Sequence, residues 1–401
     1  MDWTAVRDQF PVTKNYIYLD LANKCPLPLF STKTIEDYIR DQQTTGGDKA
    51  KWFRTISEAR ERFAKFVNAS PDEIAILKNT SEGLNIAANG IPFRPRDSVV
   101  LNEAEHPNNI YCWLNLRNKG VEVRWFKTRN GQVQVEDIAA VADSSTRAVA
   151  VALVNYAPGN RNDIKAISRF CRERRIYSVV DAVQGTGTLK IDVEDLGMDI
   201  MATGGHKALF VPHGIGILYC RKDVIAEISP VYVARSGMSM AAAIEHDSPS
   251  YELSIAPTCS RFEIGNNNYL GITVLNENLR YIMAIGIGQI ERRILDLSGY
   301  LQEKLLQAGA RVLSPREESK RSAIICFTAG DVGQLHKHLL EKRIITTLRR
   351  DLLEKRIITT LRRDSIRVSV GIYNSEEEID TLAAAVEQFL AVPCRDAAQV
   401  S

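Results

Sequence analysis

Two residues in this chain combine side-chain type and setting in a way that points to covalent cofactor chemistry. Asp181 lies in Val179-Val180-Asp181-Ala182-Val183-Gln184, where the preceding apolar residues make it read as the end of a buried strand. A bare carboxylate there is costly unless something cationic meets it. Lys207 follows twenty-six residues later in Gly204-Gly205-His206-Lys207, and the glycine pair lets the backbone pass close to a ligand. An acid that pairs with a pyridinium nitrogen and a lysine that forms a Schiff base are the two anchors of a pyridoxal-phosphate site.

Further residues fit the same chemistry, several with a plainer alternative. Thr80-Ser81-Glu82-Gly83 follows a strand and opens a helical pattern. Its hydroxyls and free amides suit a phosphate, although taken alone a plain helix cap by Thr80 or Ser81 is the readier account. His106, in Glu105-His106-Pro107-Asn108-Asn109, follows a strand and can stack on a flat ring, act as acid or base, or merely occupy a turn. Asn155 also follows a strand and can donate to a ring hydroxyl or cap a turn. Gln184 shares the Asp181 junction and can bond a ring oxygen, while His206 is placed to help hold a phosphate. In Ile366-Arg367-Val368-Ser369, strand alternation puts Arg367 and Ser369 on one face. An arginine there can hold a carboxylate through two hydrogen bonds, or can lie on the surface.

The elements that must position these groups are legible as short apolar runs at 73–77, 98–102, 121–126, 148–154, 177–181, 199–203 and 215–220. Amphipathic stretches separate several of them; in 164–174, Ile164, Ile167, Phe170 and Cys171 share a helical face. The alternation predicts an α/β fold with a mostly parallel seven-stranded sheet and helices on both sides. The texture changes near residue 270. A long helical pattern covers 274–308, weaker signals follow, and 375–390 reads as a helix with Ser375 as N-cap and Glu378 as its capping-box partner. We expect an N-terminal segment (1–20) packed on the small domain, a large domain (21–269) and a smaller C-terminal α+β domain (270–401), with a frayed tail after Pro393.

Residues 339–351 read LLEKRIITTLRRD, and 352–364 repeat them letter for letter. Two copies of thirteen residues are not a solenoid. A recent duplication is the plain reading and a functional insertion near the site the sharper one. Each copy couples a helix end to a β-prone piece, so one copy should fill the structural place and the other should bulge, extend the helix or form its own turn.

The formal net charge of +2 gives no reason to expect nucleic acid or an acidic membrane surface as partner. No run approaches the ~18 apolar residues of a membrane span. No secretory signal is visible, and seven scattered cysteines without a Cys-x-x-Cys pair suit a reducing cytoplasm better than a disulfide framework or zinc site. A dehydrogenase on a doubly wound sheet would show a G-x-G-x-x-G turn after its first strand, and none is present.

The motifs TSEG, EHPNN, the Asn155 turn, DAVQ, GGHK, RFEIGNNN and RVSVGIYNSEEEID occur in one order over nearly the whole chain. Together they closely resemble the class V aminotransferase family of pyridoxal-phosphate enzymes, fold type I, which includes cysteine desulfurases, kynureninases, isopenicillin N epimerase-like proteins and some carbon–sulfur lyases. The resemblance implies that Lys207 holds the cofactor and that Asp181 and Gln184 meet the ring nitrogen and ring hydroxyl. It implies that His106 stacks on the ring, that Thr80, Ser81 and His206 bind the phosphate, and that Asn155 lies near cofactor and substrate. By the same resemblance Arg367 binds the substrate α-carboxylate, Ala22 and Asn23 line the substrate pocket, and Asn266 reaches the partner's phosphate across a homodimer.

Three departures qualify it. Many members have a serine three residues before the lysine, where this chain has Gly204, with Thr203 as the compensating hydroxyl. The dimer-crossing loop usually reads Gly-Thr-Pro, here Gly265-Asn266-Asn267-Asn268. Cysteine desulfurases carry a nucleophilic cysteine shortly before the arginine motif, whereas 339–365 contains none; Cys25 is the awkward alternative. The expected activity is therefore aminotransferase- or lyase/epimerase-type chemistry at Cα of a small or derivatised amino acid. Desulfurase activity is disfavoured, and a non-catalytic scaffold with the same fold is the rival class.

Overall fold

The computed structural model describes residues 1–239, 253–349 and 365–391. Strand β1 (Ile17–Tyr18) belongs to the N-terminal segment. The large sheet uses β2 (Ile74–Leu77), β3 (Ser98–Asn102), β4 (Glu122–Phe126), β5 (Thr146–Ala152), β6 (Tyr177–Asp181), β7 (Ile200–Gly204) and β8 (Gly216–Cys220). The C-terminal part adds β9 (Arg311–Val312), β10 (Ile324–Thr328), β11 (Ile344–Ile345), β12 (Thr347–Arg349) and β13 (Ser365–Ser369). The helices before residue 240 are α1 (Trp3–Arg7), α2 (Leu29–Thr45), α3 (Lys49–Val67), α4 (Thr80–Gly90), α5 (Asn108–Leu114), α6 (Val135–Ala139), α7 (Ile164–Glu173) and α8 (Val193–Leu196). Those after residue 252 are α9 (Tyr269–Ile285), α10 (Ile287–Gln307), α11 (Val332–Glu341) and α12 (Glu376–Ala391).

The large sheet has the order β2-β8-β7-β6-β5-β3-β4, parallel throughout except for β8, which runs against both of its neighbours. Alternation along the strands buries both faces. Val100, Val149, Val151, Val180 and Met201 enter one apolar cluster. Val99, Leu101, Ala148, Ala150, Val179 and Ala202 enter the other. The carboxyl ends of β3, β5, β6 and β7 therefore meet along one edge, where ligands of such sheets bind. The strand expected over 148–154 begins and ends two residues earlier, because Val154 already bridges to Arg161 in a turn.

The helical pattern at 274–308 is two helices, not one. Gly286 separates α9 from α10 with φ of +92°, a conformation open to glycine and costly for other residues. Ser375 caps α12 as expected: the Glu378 amide donates to its hydroxyl (3.4 Å) and its own amide donates to Glu378 (3.2 Å). The chain after Pro393 lies outside the described residues. None of the described helices is long and apolar enough to cross a membrane.

The N-terminal segment is sewn into the C-terminal part. β1 pairs in parallel with β11, Arg7 meets Glu378 at 2.7 Å, and Asn374 donates to the Tyr18 carbonyl. Phe10 packs between Phe210, on the lysine loop, and Tyr373.

The first copy of the repeat runs from the end of α11 through β11 and β12, and β12 pairs antiparallel with β13 so that Arg349 faces Ser365. The second copy lies outside the described residues. Deleting 352–364 leaves Arg350 and Asp351 between two paired residues, the length of the shortest common hairpin loop. The deletion variant is expected to fold and keep its cofactor, losing less than about 1 kcal/mol because Arg-Asp is a poor match for a primed turn. Insoluble protein, or loss of cofactor uptake, would show that the second copy serves the fold or the site.

Candidate active site

A cavity of about 240 Å³ opens at the carboxyl edge of the large sheet, lined by Ala22, Asn23, Thr80, His106, Asn108, Ala152, Val154, Tyr156, Asp181, Val183, Gln184, His206, Lys207 and Arg367. Nine of the residues singled out from sequence meet there. Ser81, Asn155, Thr203 and Asn266 are not among its lining residues. Ser81 faces a neighbouring cleft, and Asn266 is exposed on a loop.

Asp181 is the last residue of β6, flanked by Ala152 of β5 and Ala202 of β7. It is 5% exposed, and its Oδ1 accepts from the Val183 amide at 3.0 Å. Burial raises its carboxyl above the usual range, with that amide and the Lys207 charge opposing. A cation entering the cavity meets a carboxylate whose burial it would relieve. Gln184, one turn on, donates Nε2 to the Ala22 carbonyl at 3.1 Å, and the Ala22 amide donates to Ser369 Oγ at 2.7 Å.

Lys207 follows β7 in a turn closed by Phe210 N–H donating to its carbonyl (2.9 Å). Phe210 holds φ of +57°, strained for a bulky residue, and buried groups fix it there. Asn278 of α9 donates to the carbonyls of Leu209 and Phe210, both at 2.9 Å, and Ser31 donates to Asn278 Oδ1 at 2.8 Å. The His206 ring stacks on His213 at 5.0 Å. Burial, with the Lys207 and His213 charges, lowers its pKa to about 4, so it is neutral near pH 7.

The hydroxyl of Thr80, in the first turn of α4, is buried without a hydrogen-bond partner among the described residues. The cap of α4 is Asn79, which accepts from the Glu82 amide, rather than Thr80 or Ser81. At Gly204 an added Cβ would stand 2.8 Å from Thr80 Oγ1 and 3.0 Å from His206 Nδ1. The glycine thus keeps open a cradle walled by a hydroxyl, an imidazole and a helix start, which fits a phosphate. Thr203 does not offer its hydroxyl to that cradle as a free group, since it donates to Thr186 Oγ1 (2.9 Å). Asn155 is fully buried. Its Oδ1 accepts from Asn162 (2.9 Å), while its Nδ2 has no partner among the described residues.

Arg367 projects from the middle of β13 and is 2% exposed. It donates Nη1 to the Tyr156 carbonyl (3.1 Å), and Nη2 lies 3.9 Å from Asp20 Oδ1. Asp20 also accepts from Asn23 Nδ2 (2.9 Å) and from the Thr347 hydroxyl. Asp20, Asn108 and Tyr156 were not singled out from sequence. The signal that marked Asp181, an acid closing an apolar run, also marks Asp20 in Tyr18-Leu19-Asp20.

Cys25 does not line the cavity. Its amide donates to the His206 carbonyl (3.2 Å), and burial pushes its thiol up to about 12. It is therefore a thiol, not a thiolate, near neutral pH.

An α/β sheet whose carboxyl edge gathers a buried acid, a lysine and a cradle that fits a phosphate has the features of a fold type I pyridoxal-phosphate enzyme. A match to the aminotransferase class V family spans residues 17–382. The chain is 36% identical over 296 residues to a probable cysteine desulfurase of Methanothermobacter thermautotrophicus, covering 72% of each. It is 29% identical over 393 residues to an uncharacterized aminotransferase of Schizosaccharomyces pombe, covering 96% of this chain and 95% of that one. Among solved structures, the apo cysteine desulfurase from Thermococcus onnurineus NA1 superposes with a TM-score of 0.86 at 24% identity, over 96% of this chain and 98% of that one. The cystine C-S lyase C-DES, in complex with its product cysteine persulfide, gives 0.83 at 24% identity, over 94% and 99%. The chain belongs to the class V aminotransferase family and is a pyridoxal-phosphate-dependent enzyme.

Proposed function

We propose that this enzyme removes the Cα proton of a small amino acid and expels its β-substituent, a lyase-type reaction in which no protein thiol takes part. The observation that carries this reading is the composition of the cavity wall, where Lys207, Asp181 and Arg367 converge and no cysteine is found among the described lining residues. Among the described residues the thiol beside the lysine loop is that of Cys25, which is half-buried and protonated, and 339–365 carries none. When bound, pyridoxal phosphate supplies the electron sink for charge left at Cα.

The protein groups then divide the work. Arg367 clamps the substrate carboxylate, and Ala22 and Asn23 close the same side. Lys207 Nζ, the cofactor's anchor, takes the Cα proton and returns one to the leaving group. Asp181 keeps the ring nitrogen protonated, Gln184 meets the ring oxygen, and His106 packs on the ring. Thr80, Ser81 and neutral His206 hold the phosphate; Thr203 and Asn155 support this shell from behind. A second copy of the chain brings Asn266 to the phosphate, making the working form a homodimer.

The test is product analysis. Enzyme loaded with pyridoxal phosphate and given L-cysteine, L-cystine or β-chloro-L-alanine should release one keto acid and one ammonia per leaving group. Desulfurase chemistry, which the names of the relatives favour, would instead yield alanine and a thiol-bound sulfur. Transamination would need a keto-acid acceptor and free no ammonia; epimerisation would give only the D-amino acid. Any of these as the dominant product defeats the lyase reading, and no turnover of any substrate favours the scaffold. Cys25→Ser should keep kcat within about twofold, because a thiol held so far above neutral pH is no nucleophile; a loss beyond tenfold would make Cys25 the missing sulfur acceptor.

A further inference from the structure

Glu105 precedes His106 in the turn between β3 and α5. It is 2% exposed and is not among the residues lining the cavity. Three N–H groups converge on its carboxylate. Asn102 Nδ2 (2.7 Å) and the Ala152 amide (2.9 Å) donate to Oε1, and Asn109 Nδ2 (2.8 Å) donates to Oε2. Both asparagines are themselves oriented, because Asn102 Oδ1 accepts from the Ala104 amide (3.0 Å) and Asn109 Oδ1 accepts from Trp113 Nε1 (3.2 Å). Turning either amide over would set donor against donor. One carboxylate thus ties the end of β3, the first turn of α5 and the end of β5.

What it ties down is the cavity wall. Ala152 lines the cavity and is the strand partner of Asp181. His106 stands between Glu105 and Asn109 in sequence. Its carbonyl accepts from the Asn109 amide (2.8 Å), its Nδ1 accepts from the Asn108 amide (3.2 Å), and its ring meets Tyr156 edge-on at 5.2 Å. A buried acid in so apolar a place needs a reason to persist. Burial pushes the Glu105 carboxyl up to about 7, the three donors holding it down and the Asp181 charge pushing the same way as burial.

We propose that Glu105 is a positioning residue, whose grip on Asn102, Asn109 and the Ala152 amide sets the orientation of the His106 ring at the cavity wall. The proposal rests on the reading of His106 as a cofactor contact. Asn109 supplies a test that separates geometry from mere bulk. In Glu105→Gln the introduced carboxamide puts an N–H₂ against Asn109 Nδ2, and Asn109 cannot turn over without losing Trp113. In Glu105→Gln/Asn109→Asp the new carboxylate accepts from both the carboxamide and Trp113 Nε1, so the grip is remade with the charge moved one step outward.

The experiment loads apoprotein with pyridoxal phosphate and reads its dissociation constant and the visible circular dichroism of the bound cofactor. Glu105→Gln should weaken binding about tenfold and change the dichroic band, and the double variant should return to within about threefold of wild type. In a His106→Ala background, Glu105→Gln should change the constant by less than about twofold, because the residue through which it acts is gone. A wild-type constant and spectrum in Glu105→Gln overturn the proposal. So does the same tenfold loss without His106, or a folded double variant that fails to recover. If Glu105→Gln does not fold, Asn102→Ala removes one arm alone and should show a smaller loss with the same dependence on His106; an unchanged spectrum there is equally fatal. Wild-type protein that takes up no cofactor sinks the reading of the site and this proposal together, whereas normal uptake with an indifferent Glu105 sinks the proposal alone.

Discussion

Lys207→Ala is expected to be colourless as purified and to have a kcat lower by about 10³–10⁴-fold. Wild-type protein should be yellow, and borohydride should bleach it by reducing the covalent link to Lys207. On the proposed roles the variant loses both the anchor and the base that moves the Cα proton, so added pyridoxal phosphate should restore little turnover. Its melting temperature should stay within a few degrees of wild-type apoprotein, because Lys207 is half-buried at a cavity wall rather than in the core. The strained Phe210 turn is held by Asn278, Ser31 and Phe10, through the backbone carbonyl and the Phe210 ring rather than through the lysine side chain. A variant that remains yellow and borohydride-sensitive would move the cofactor to another amine and undo the site as drawn.

Arg367→Ala should separate substrate binding from cofactor binding. We expect KM for the amino-acid substrate to rise about 100-fold, the worth of a charge-assisted paired contact in a buried setting. The constant for pyridoxal phosphate should change by less than about threefold. Stability should also fall, by about 1–3 kcal/mol, because Asp20 loses its cationic neighbour while remaining buried. Asp20 keeps its bonds from Asn23 and Thr347, which is why the loss stays below that of a fully orphaned charge. Arg367→Lys should recover most of the stability but little of the KM, since an ammonium cannot present two parallel donors. An unchanged KM in folded Arg367→Ala would remove the arginine from substrate recognition.

The seven strands of the large sheet were legible because their apolar runs are short and bounded, and the structure moves their ends by one or two residues. Their order was not, since nothing local in 74–77 says that it will lie beside 216–220 rather than beside 98–102. The pattern over 274–308 hid a break because one glycine inside a helical period reads as tolerated until its φ is known. Lys207, Asp181 and Arg367 could be found from neighbours in sequence, for Asp181 and Arg367 sit in strands whose type the neighbours define and Lys207 follows a strand through a glycine pair. Glu105 could not be assigned a task that way. Its partners Asn102, Asn109 and Ala152 are ordinary residues until the sheet brings β5 alongside β3. Thr203 shows the reverse limit, as its type suited a phosphate while its direction carried it to Thr186.

The N-terminal segment has a consequence for how the chain is made. Asp20 bonds Thr347, and the Ala22 amide, on the cavity wall, bonds Ser369, a separation of 347 residues. Residues 20 and 22 are translated well before these partners and find them only once β12 and β13 leave the ribosome. The sheet that carries Asp181 can form earlier, from sequence that emerges before residue 221, and the Lys207 turn gains its Asn278 support once α9 follows. Cofactor could therefore reach a nascent chain whose amino-acid gate does not yet exist. On the proposed roles, the substrate side is completed only after β13 has emerged, and a ribosome stalled short of Arg367 would display a chain with its cofactor residues but without the arginine meant for the substrate.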